Sequence, residues 1–210
     1  MPAQSASTAL SMLRDTSLFQ WYVIPLLAMA VYVYSVEIEK GNWKAVYASL
    51  AFWGMDFINE IWNSLVFHFT NYAPVWGAPS KTAYLFLIGL NIEIMFMFAI
   101  SGIGYTKLLP KGKNLKILGI NNRLFCAILN SIFCVVVEMV LNHIGVLTWE
   151  YSWWSIQNPW LIFIIGYLPF NIVCFYVYDM ESTKAQAKFV SIQWGLILVA
   201  LVTFIGIGWI

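Results

Sequence analysis

Four carboxylic acids occur inside long apolar stretches of this sequence, where acids are rare. They are Asp56, Glu60, Glu93 and Glu138. An ionised carboxylate at the centre of a bilayer costs about 2.5–3.5 kcal/mol on insertion scales, so each such residue requires a partner or a function. We therefore expect these acids to face one another, water or a ligand, and some of them to be protonated.

Helical spacing places polar side chains on shared faces of the predicted helices. One stripe follows the spacing i, i+3, i+4 and i+7 and consists of Asp56, Asn59, Glu60 and Asn63. A second stripe consists of Ser131, Cys134, Glu138 and Asn142, with His143 beside it. Glu93 shares a third face with Gly89 and Met97. The spacing predicts a polar chamber between three helices, reached from the outer leaflet.

This arrangement predicts acid–base chemistry on a lipid-soluble substrate. A protonated carboxyl group beside an apolar chamber is a Brønsted acid, and coupled carboxyl groups lose their protons at separate pH values. Glu60 is the principal candidate acid, Asp56 and Glu138 would tune or share its proton, and Glu93 would complete the pocket. The residues expected to bind substrate or water are Asn59, Asn63, Asn142, His143, Trp62 and Trp149.

Three other interpretations of the acids remain open. Glu60, Glu93, Glu138, His68 and His143 are possible metal ligands, but the chain has two histidines and no Glu-x-x-His, His-x-x-x-His or His-Glu-x-x-His pattern. No metal and no cofactor are therefore predicted. A small proton- or cation-coupled transporter also places acids at mid-membrane depth, although no internal repeat supports it. The third interpretation is an accessory subunit whose acids meet a partner's cations.

The elements that must position these acids are membrane-spanning helices. Hydrophobic residues make up 61% of the chain and charged residues 10%, where a soluble domain carries about a quarter charged residues. Six segments are long enough to span a bilayer: 18–36, 44–69, 83–105, 122–147, 159–178 and 189–210. The sequence predicts an all-α polytopic bundle, with a short polar segment at residues 1–17 and one transmembrane domain at 18–210. Pro25 and Pro169 are expected to kink their helices.

The distribution of basic residues predicts the orientation. Nine of the eleven Lys and Arg residues fall on one side, leaving Arg14 and Lys81 on the other. The positive-inside rule then makes the 106–122 connection cytoplasmic and both termini non-cytoplasmic. The opposite side carries a Trp-rich connection at 148–159, interpreted as an aromatic belt or as a lid over a cavity. A net charge of +1 gives no basis for nucleic-acid binding.

One stretch resembles a known family. Residues 56–62 read Asp-Phe-Ile-Asn-Glu-Ile-Trp, which resembles the catalytic-Glu context of the integral-membrane terpene cyclases of fungal meroterpenoid and indole-diterpene pathways. The likeness continues into residues 89–97. It implies that Glu60 is the acid that starts cyclisation. Asn59 stands where that family usually has Trp, and its second acid has no clear counterpart here.

Together these observations predict a multi-pass integral membrane protein of the cell membrane or endomembrane. The predicted function is an enzyme of cyclase or isomerase type that acts on a lipophilic, for example isoprenoid, substrate among membrane lipids. The alternative is a small transporter or an accessory subunit. The sequence leaves a homo-oligomer open.

Overall fold

The computed structural model describes all 210 residues, most of them in helices. The helices are α1 (Gln4–Met12), α2 (Val23–Glu39), α3 (Trp43–Thr70), α4 (Ile92–Lys107), α5 (Asn122–His143), α6 (Pro159–Leu161), α7 (Leu168–Tyr178) and α8 (Thr183–Gly206). A π-helical turn (Ile162–Tyr167) joins α6 to α7 in one helix, Pro159–Tyr178. Two short antiparallel hairpins pair β1 (Leu85–Leu87) with β2 (Leu90–Asn91) and β3 (Lys116–Ile117) with β4 (Ile120–Asn121).

Three helices are long and apolar enough to cross a membrane: Asn122–His143, Pro159–Tyr178 and Thr183–Gly206. Membrane localisation is thereby confirmed, but six spans are not. Helices α2 and α4 have 17 and 16 residues, and α3 has 28 residues but carries two of the acids, Asp56 and Glu60. The predominance of helices is confirmed, and the chain forms two short hairpins in addition.

Helix α4 begins nine residues later than predicted. Residues 83–91 do not continue a helix, because they form the first hairpin and its approach. The Asn91 side chain then accepts the backbone N–H of Ile94 at 2.8 Å, a standard N-cap that starts the helix at Ile92. Glu93 consequently lies in the first turn of α4 and not at the middle of a span.

Helix α3 lies at the centre and packs against α4, α7 and α8, while α5 packs against α7 and the π-helical turn. The approach of α3 to α4 is close because Gly102 has no side chain. A Cβ atom on Gly102 would lie 2.5 Å from the Cα of Ser49. The Ser49 hydroxyl bridges the two helices, donating to Ala99 O at 2.8 Å and accepting from Ile103 N at 3.1 Å.

The two prolines within the predicted spans behave differently. Pro25 lies in the first turn of α2, where its missing N–H has no intrahelical partner, so no kink is required. Pro169 lies just after the π-helical turn and cannot donate to the carbonyl of Ile165. The Asn59 side chain on α3 supplies a donor instead, at 3.4 Å from both Ile165 O and Gly166 O.

The two ends of the bundle differ in character. At the basic end, Lys107 pairs with Glu37 at 2.7 Å, and Arg123 holds Asp179 through two hydrogen bonds of 2.8 and 2.9 Å. The opposite end, here called the aromatic end, is formed by α1 and the connections 71–84 and 144–158. Helix α1 packs onto these connections with Ala6 and Ala9 buried. Which end faces the cytoplasm stays a prediction.

Candidate functional site

Three of the four acids line one cavity inside the bundle. Asp56 and Glu60 lie one helical turn apart on α3, and Glu138 lies on α5. All three are buried, with 4%, 3% and 5% of their surface exposed. The cavity, here called the acid cavity, has a volume of about 40 Å³. A water needs about 10–15 Å³ on this measure, so the space admits a few waters or one small polar group.

The Glu138 carboxylate is bound by two donors from different elements. The Tyr167 hydroxyl donates to Oε2 at 2.5 Å, and the Trp149 indole N–H donates to Oε1 at 3.0 Å. Tyr167 is the last residue of the π-helical turn, so the local widening of that helix sets the position of its hydroxyl. Such π-turns occur frequently at functional sites.

The Glu60 carboxylate is bound by a loop that Asn63 holds in place. The Trp76 indole N–H donates to Glu60 Oε1 at 2.6 Å. Asn63 Oδ1 accepts the backbone N–H groups of Val75 and Trp76 at 2.7 and 3.2 Å, and its Nδ2 donates to Trp76 O at 2.8 Å. Asn63 therefore anchors the loop that carries Trp76, whereas the sequence analysis expected it to bind substrate.

Tryptophan side chains cover the acid cavity at the aromatic end. The lid, as we call it, consists of Trp62, Trp76, Trp149 and Trp154. Trp76 and Trp154 stack with ring centroids 5.3 Å apart. The backbones of Gly77 and Thr148 exchange hydrogen bonds of 3.0 and 2.9 Å, which joins the two loops that bear the lid. Trp76 and Trp154 thus line the cavity, while Trp62 packs on both of them and Trp149 bonds to Glu138.

Two polar atoms in the cavity wall have no hydrogen-bond partner. They are Oδ2 of Asp56 and the indole nitrogen of Trp154. Trp154 is 1% exposed and lies near the Glu138 carboxyl without reaching hydrogen-bonding geometry. Buried polar groups are nearly always paired, so this acceptor and this donor call for an explanation.

A larger apolar groove adjoins the acid cavity. Its volume is about 210 Å³, and eleven of its thirteen lining residues are hydrophobic. The α4/α5 groove, as we call it, lies between those two helices and shares Glu138 and Tyr167 with the acid cavity. Met97 and Phe133 line it and are 41% and 61% exposed on the outer surface of the bundle. The groove therefore opens sideways toward the surface that lipid would cover.

Toward the basic end the acid cavity is closed by aromatic rings. Phe98 and Phe170 line the cavity, and Phe52 packs on both. The three ring centroids lie 5.6 to 5.8 Å apart. This aromatic floor separates the acids from the ion pairs at the basic end.

Several predicted site residues lie outside the cavity. Glu93 was expected to complete the pocket, but it binds the hydroxyl groups of Tyr22 and Thr82 and the N–H of Ala83 because α4 starts at Ile92. Asn142 donates to Leu147 O at 3.2 Å beyond the end of α5.

The remaining predicted residues have varied positions. His143 is exposed at the end of α5. Asn59 borders the cavity and binds the π-helical turn, and Trp62 contacts Trp76 at a centroid distance of 5.9 Å. His68 stacks on Trp209, away from the acids. No three His, Cys, Asp or Glu side chains form a metal-binding group.

Three residues of the site, Trp76, Tyr167 and Trp154, were not among those predicted for it. Tyr167 lies in an apolar run without any polar stripe, so nothing in its local pattern marks it. Trp154 belongs to the Trp-rich connection, but the sequence did not distinguish it from Trp153. Tyr167 and Trp154 come close to Glu138 only because segments far apart in the sequence pack together.

Comparison with known proteins shows the family of this chain. A profile described as "Uncharacterized membrane protein family" matches residues 3–206. A protein of Archaeoglobus fulgidus described as "Uncharacterized protein" is 58% identical over 210 residues, covering 99% of this chain and 98% of its own length. A second protein of that organism, with the same description, is 59% identical over 29 residues, covering 14% of this chain and 52% of its own length. No solved structure matches. The chain belongs to this membrane protein family.

The expected likeness to the fungal membrane terpene cyclases is therefore wrong. The matching profile and the full-length archaeal relative place the chain in a different family. The likeness rested on a short stretch around one acid in an apolar helix, and such stretches recur because apolar helices share a small set of residues.

Proposed function

We propose that this member of the membrane protein family binds a lipophilic molecule in the α4/α5 groove and exchanges protons with it at the acid cavity. One observation carries the proposal: Glu138 forms part of the wall of both spaces. A molecule that enters sideways from the lipid between α4 and α5 meets a carboxyl group at the inner end of the groove.

The different surroundings of the three acids support distinct roles for them. Glu138 accepts bonds of 3.0 and 2.5 Å from Trp149 and Tyr167, whereas Glu60 accepts a short bond of 2.6 Å from Trp76 and a long one of 3.5 Å from Asn63. Asp56 has a buried oxygen without a partner. Neighbouring carboxyl groups in different environments lose their protons at different pH values, which provides a proton donor and a proton acceptor in one site.

A donor and an acceptor together permit an isomerisation without any further reactant. The acid adds its proton to one carbon of a double bond, leaving a carbocation. The neighbouring carboxylate then removes a proton from an adjacent C–H bond, and a new double bond forms. The Tyr167 and Phe98 rings beside the groove would stabilise the intermediate positive charge by cation–π attraction.

The aromatic floor favours this function over transport. A transport path requires access to the acids from both ends of the bundle. The rings of Phe52, Phe98 and Phe170 fill the space between the acid cavity and the basic end. One-sided access fits an enzyme or a binding protein better than a carrier.

We further propose that α2, α3 and α4 cross the membrane together with the three apolar helices. Helix α3 packs along α4, α7 and α8, so it shares their depth. The basic residues flanking α2, α3, α4, α5 and α8 also gather at one end of the bundle, as the positive-inside rule requires of spanning helices.

The test compares four versions of the purified protein in lipid nanodiscs. They are wild type, Glu138→Gln, Val137→Phe and Val136→Phe. Val137 lines the α4/α5 groove, so a phenyl ring there fills it. Val136 is 52% exposed, lines neither space and controls for adding the same ring. Organic extracts of each version are analysed by mass spectrometry before and after incubation in deuterated water.

We expect a specific lipophilic compound to co-purify with Glu138→Gln and with Val136→Phe, but not with Val137→Phe. Wild type should add deuterium to that compound, and Glu138→Gln should not. Identical bulk lipid in all four extracts would contradict binding in the groove. Equal deuterium incorporation by wild type and Glu138→Gln would contradict proton transfer by that residue.

A further inference from the structure

Two fully buried atoms in the wall of the acid cavity have no hydrogen-bond partner, and one is an acceptor while the other is a donor. The acceptor is Asp56 Oδ2 and the donor is the Trp154 indole N–H. Both side chains are more than nine-tenths buried, at 4% and 1% exposure. The other side-chain donors in the wall are already bonded: Trp76 to Glu60, Tyr167 to Glu138, and Asn59 to the backbone of the π-helical turn. An occupant that completes this wall must therefore both donate and accept.

The charges around the two spaces exclude most lipid headgroups. No Lys, Arg or His lines the acid cavity or the α4/α5 groove, whereas three carboxyl groups line the cavity. A phosphate or carboxylate would be buried among carboxyl groups without a compensating cation. An ammonium group has donors and no acceptor, so the Trp154 N–H would stay unpaired. A hydroxyl group has one donor and two acceptor lone pairs, and it satisfies both free atoms.

The volumes of the two spaces also favour a hydroxyl headgroup. The acid cavity, at about 40 Å³, admits a hydroxyl group but is too small for a sugar. The adjoining groove, at about 210 Å³, is apolar and opens on the side of the bundle, which suits one hydrocarbon chain. Because the two spaces share Glu138 and Tyr167, one molecule can occupy both.

We infer that the ligand of this site is an uncharged single-chain lipid alcohol. Its hydroxyl group lies between Asp56 and Trp154, and its chain runs along the α4/α5 groove toward the lipid. This inference rests on the proposed function, since it names the class of molecule that enters the groove.

The test measures equilibrium binding of radiolabelled 1-dodecanol to the protein in phosphatidylcholine nanodiscs. Unlabelled 1-dodecanol, dodecane, dodecyl phosphate and dodecylamine serve as competitors. We expect 1-dodecanol to compete about fivefold or more better than the other three. That factor corresponds to one hydrogen bond gained in a buried site.

A pair of adjacent tryptophans supplies the matched variants. Trp154→Phe removes the free indole donor, while Trp153→Phe changes a 39% exposed ring that lines neither space. We expect Trp154→Phe to weaken 1-dodecanol binding about fivefold and to leave dodecane unchanged. Trp153→Phe should bind as wild type does.

The outcomes separate this inference from the proposed function. Equal competition by dodecane and 1-dodecanol, stronger competition by dodecyl phosphate, or an unchanged Trp154→Phe overturns the alcohol assignment. If Val137→Phe still abolishes binding of dodecane in those cases, the groove of the proposed function stands. If Val137→Phe binds every probe as wild type does, the groove and therefore the proposed function fail.

Discussion

Replacing Asn63 by alanine is expected to be among the most damaging single changes in the chain. Asn63 is completely buried, and its amide binds three backbone groups of the loop that carries Trp76. These are the N–H groups of Val75 and Trp76 and the carbonyl of Trp76. Alanine leaves all three without a partner in a region where Val75 is also fully buried.

The expected loss of stability follows from these three groups. A buried polar group that loses its partner costs about 1–3 kcal/mol, so three of them give roughly 3–6 kcal/mol once partial entry of water is allowed. That is a large share of the roughly 5–15 kcal/mol by which folded proteins are stable. The loss should also release Trp76 from Glu60, because Asn63 anchors the loop that carries Trp76.

The measurement is the free energy of unfolding in mixed micelles, titrated with a denaturing detergent and followed by near-ultraviolet circular dichroism. Asn142→Ala is the matched control, since Asn142 is half-buried and makes one backbone hydrogen bond, to Leu147 O at 3.2 Å. We expect it to lose about 1 kcal/mol. If Asn63→Ala loses no more than Asn142→Ala, the anchoring role assigned to Asn63 is refuted.

Two further predictions concern the helices that surround the site. Gly102→Ala should destabilise the protein by about 1–3 kcal/mol, because the new Cβ would lie 2.5 Å from Ser49 Cα. Gly104→Ala is the control: its Cβ would have no neighbouring atom within 4 Å, so this variant should be neutral or stabilising in the same unfolding assay. Equal effects of the two substitutions would contradict the close α3/α4 packing. Asn59→Ala should lower the free energy of unfolding by about 1 kcal/mol, because it removes the donor to Ile165 O and Gly166 O. This loss should be smaller in a Pro169→Ala background, where residue 169 regains a backbone N–H. A double-mutant cycle measures this coupling, and strictly additive losses would show that Asn59 does not compensate for the proline.

The π-helical turn links these elements to the proposed chemistry. It ends at Tyr167, whose hydroxyl holds Glu138, and it is braced by Asn59 on the helix that carries Asp56 and Glu60. The bond between Tyr167 and Glu138 thus depends on this local irregularity. A regular α-helix through residues 162–167 would turn Tyr167 away from Glu138, since a π-turn adds one residue per turn.

The amino-acid sequence by itself determined the membrane location, the predominance of helices and the shared face of Asp56 and Glu60. Lipid leaves backbone groups no partner outside a helix or a closed barrel, so long apolar runs become helices whatever surrounds them. Within one helix, residues four apart lie on the same face because of the 3.6-residue repeat. These properties are local, and the pattern of residues is sufficient to predict them.

The tertiary structure alone decided which faces meet. It brought Glu138 to Glu60 and supplied Tyr167, Trp76 and Trp149 as donors from segments far apart in the chain. It also removed Glu93 from the site, because the first hairpin delays the start of α4. Contacts of this kind depend on the path of connecting loops and on close approach at residues such as Gly102, and helical periodicity contains no information about either.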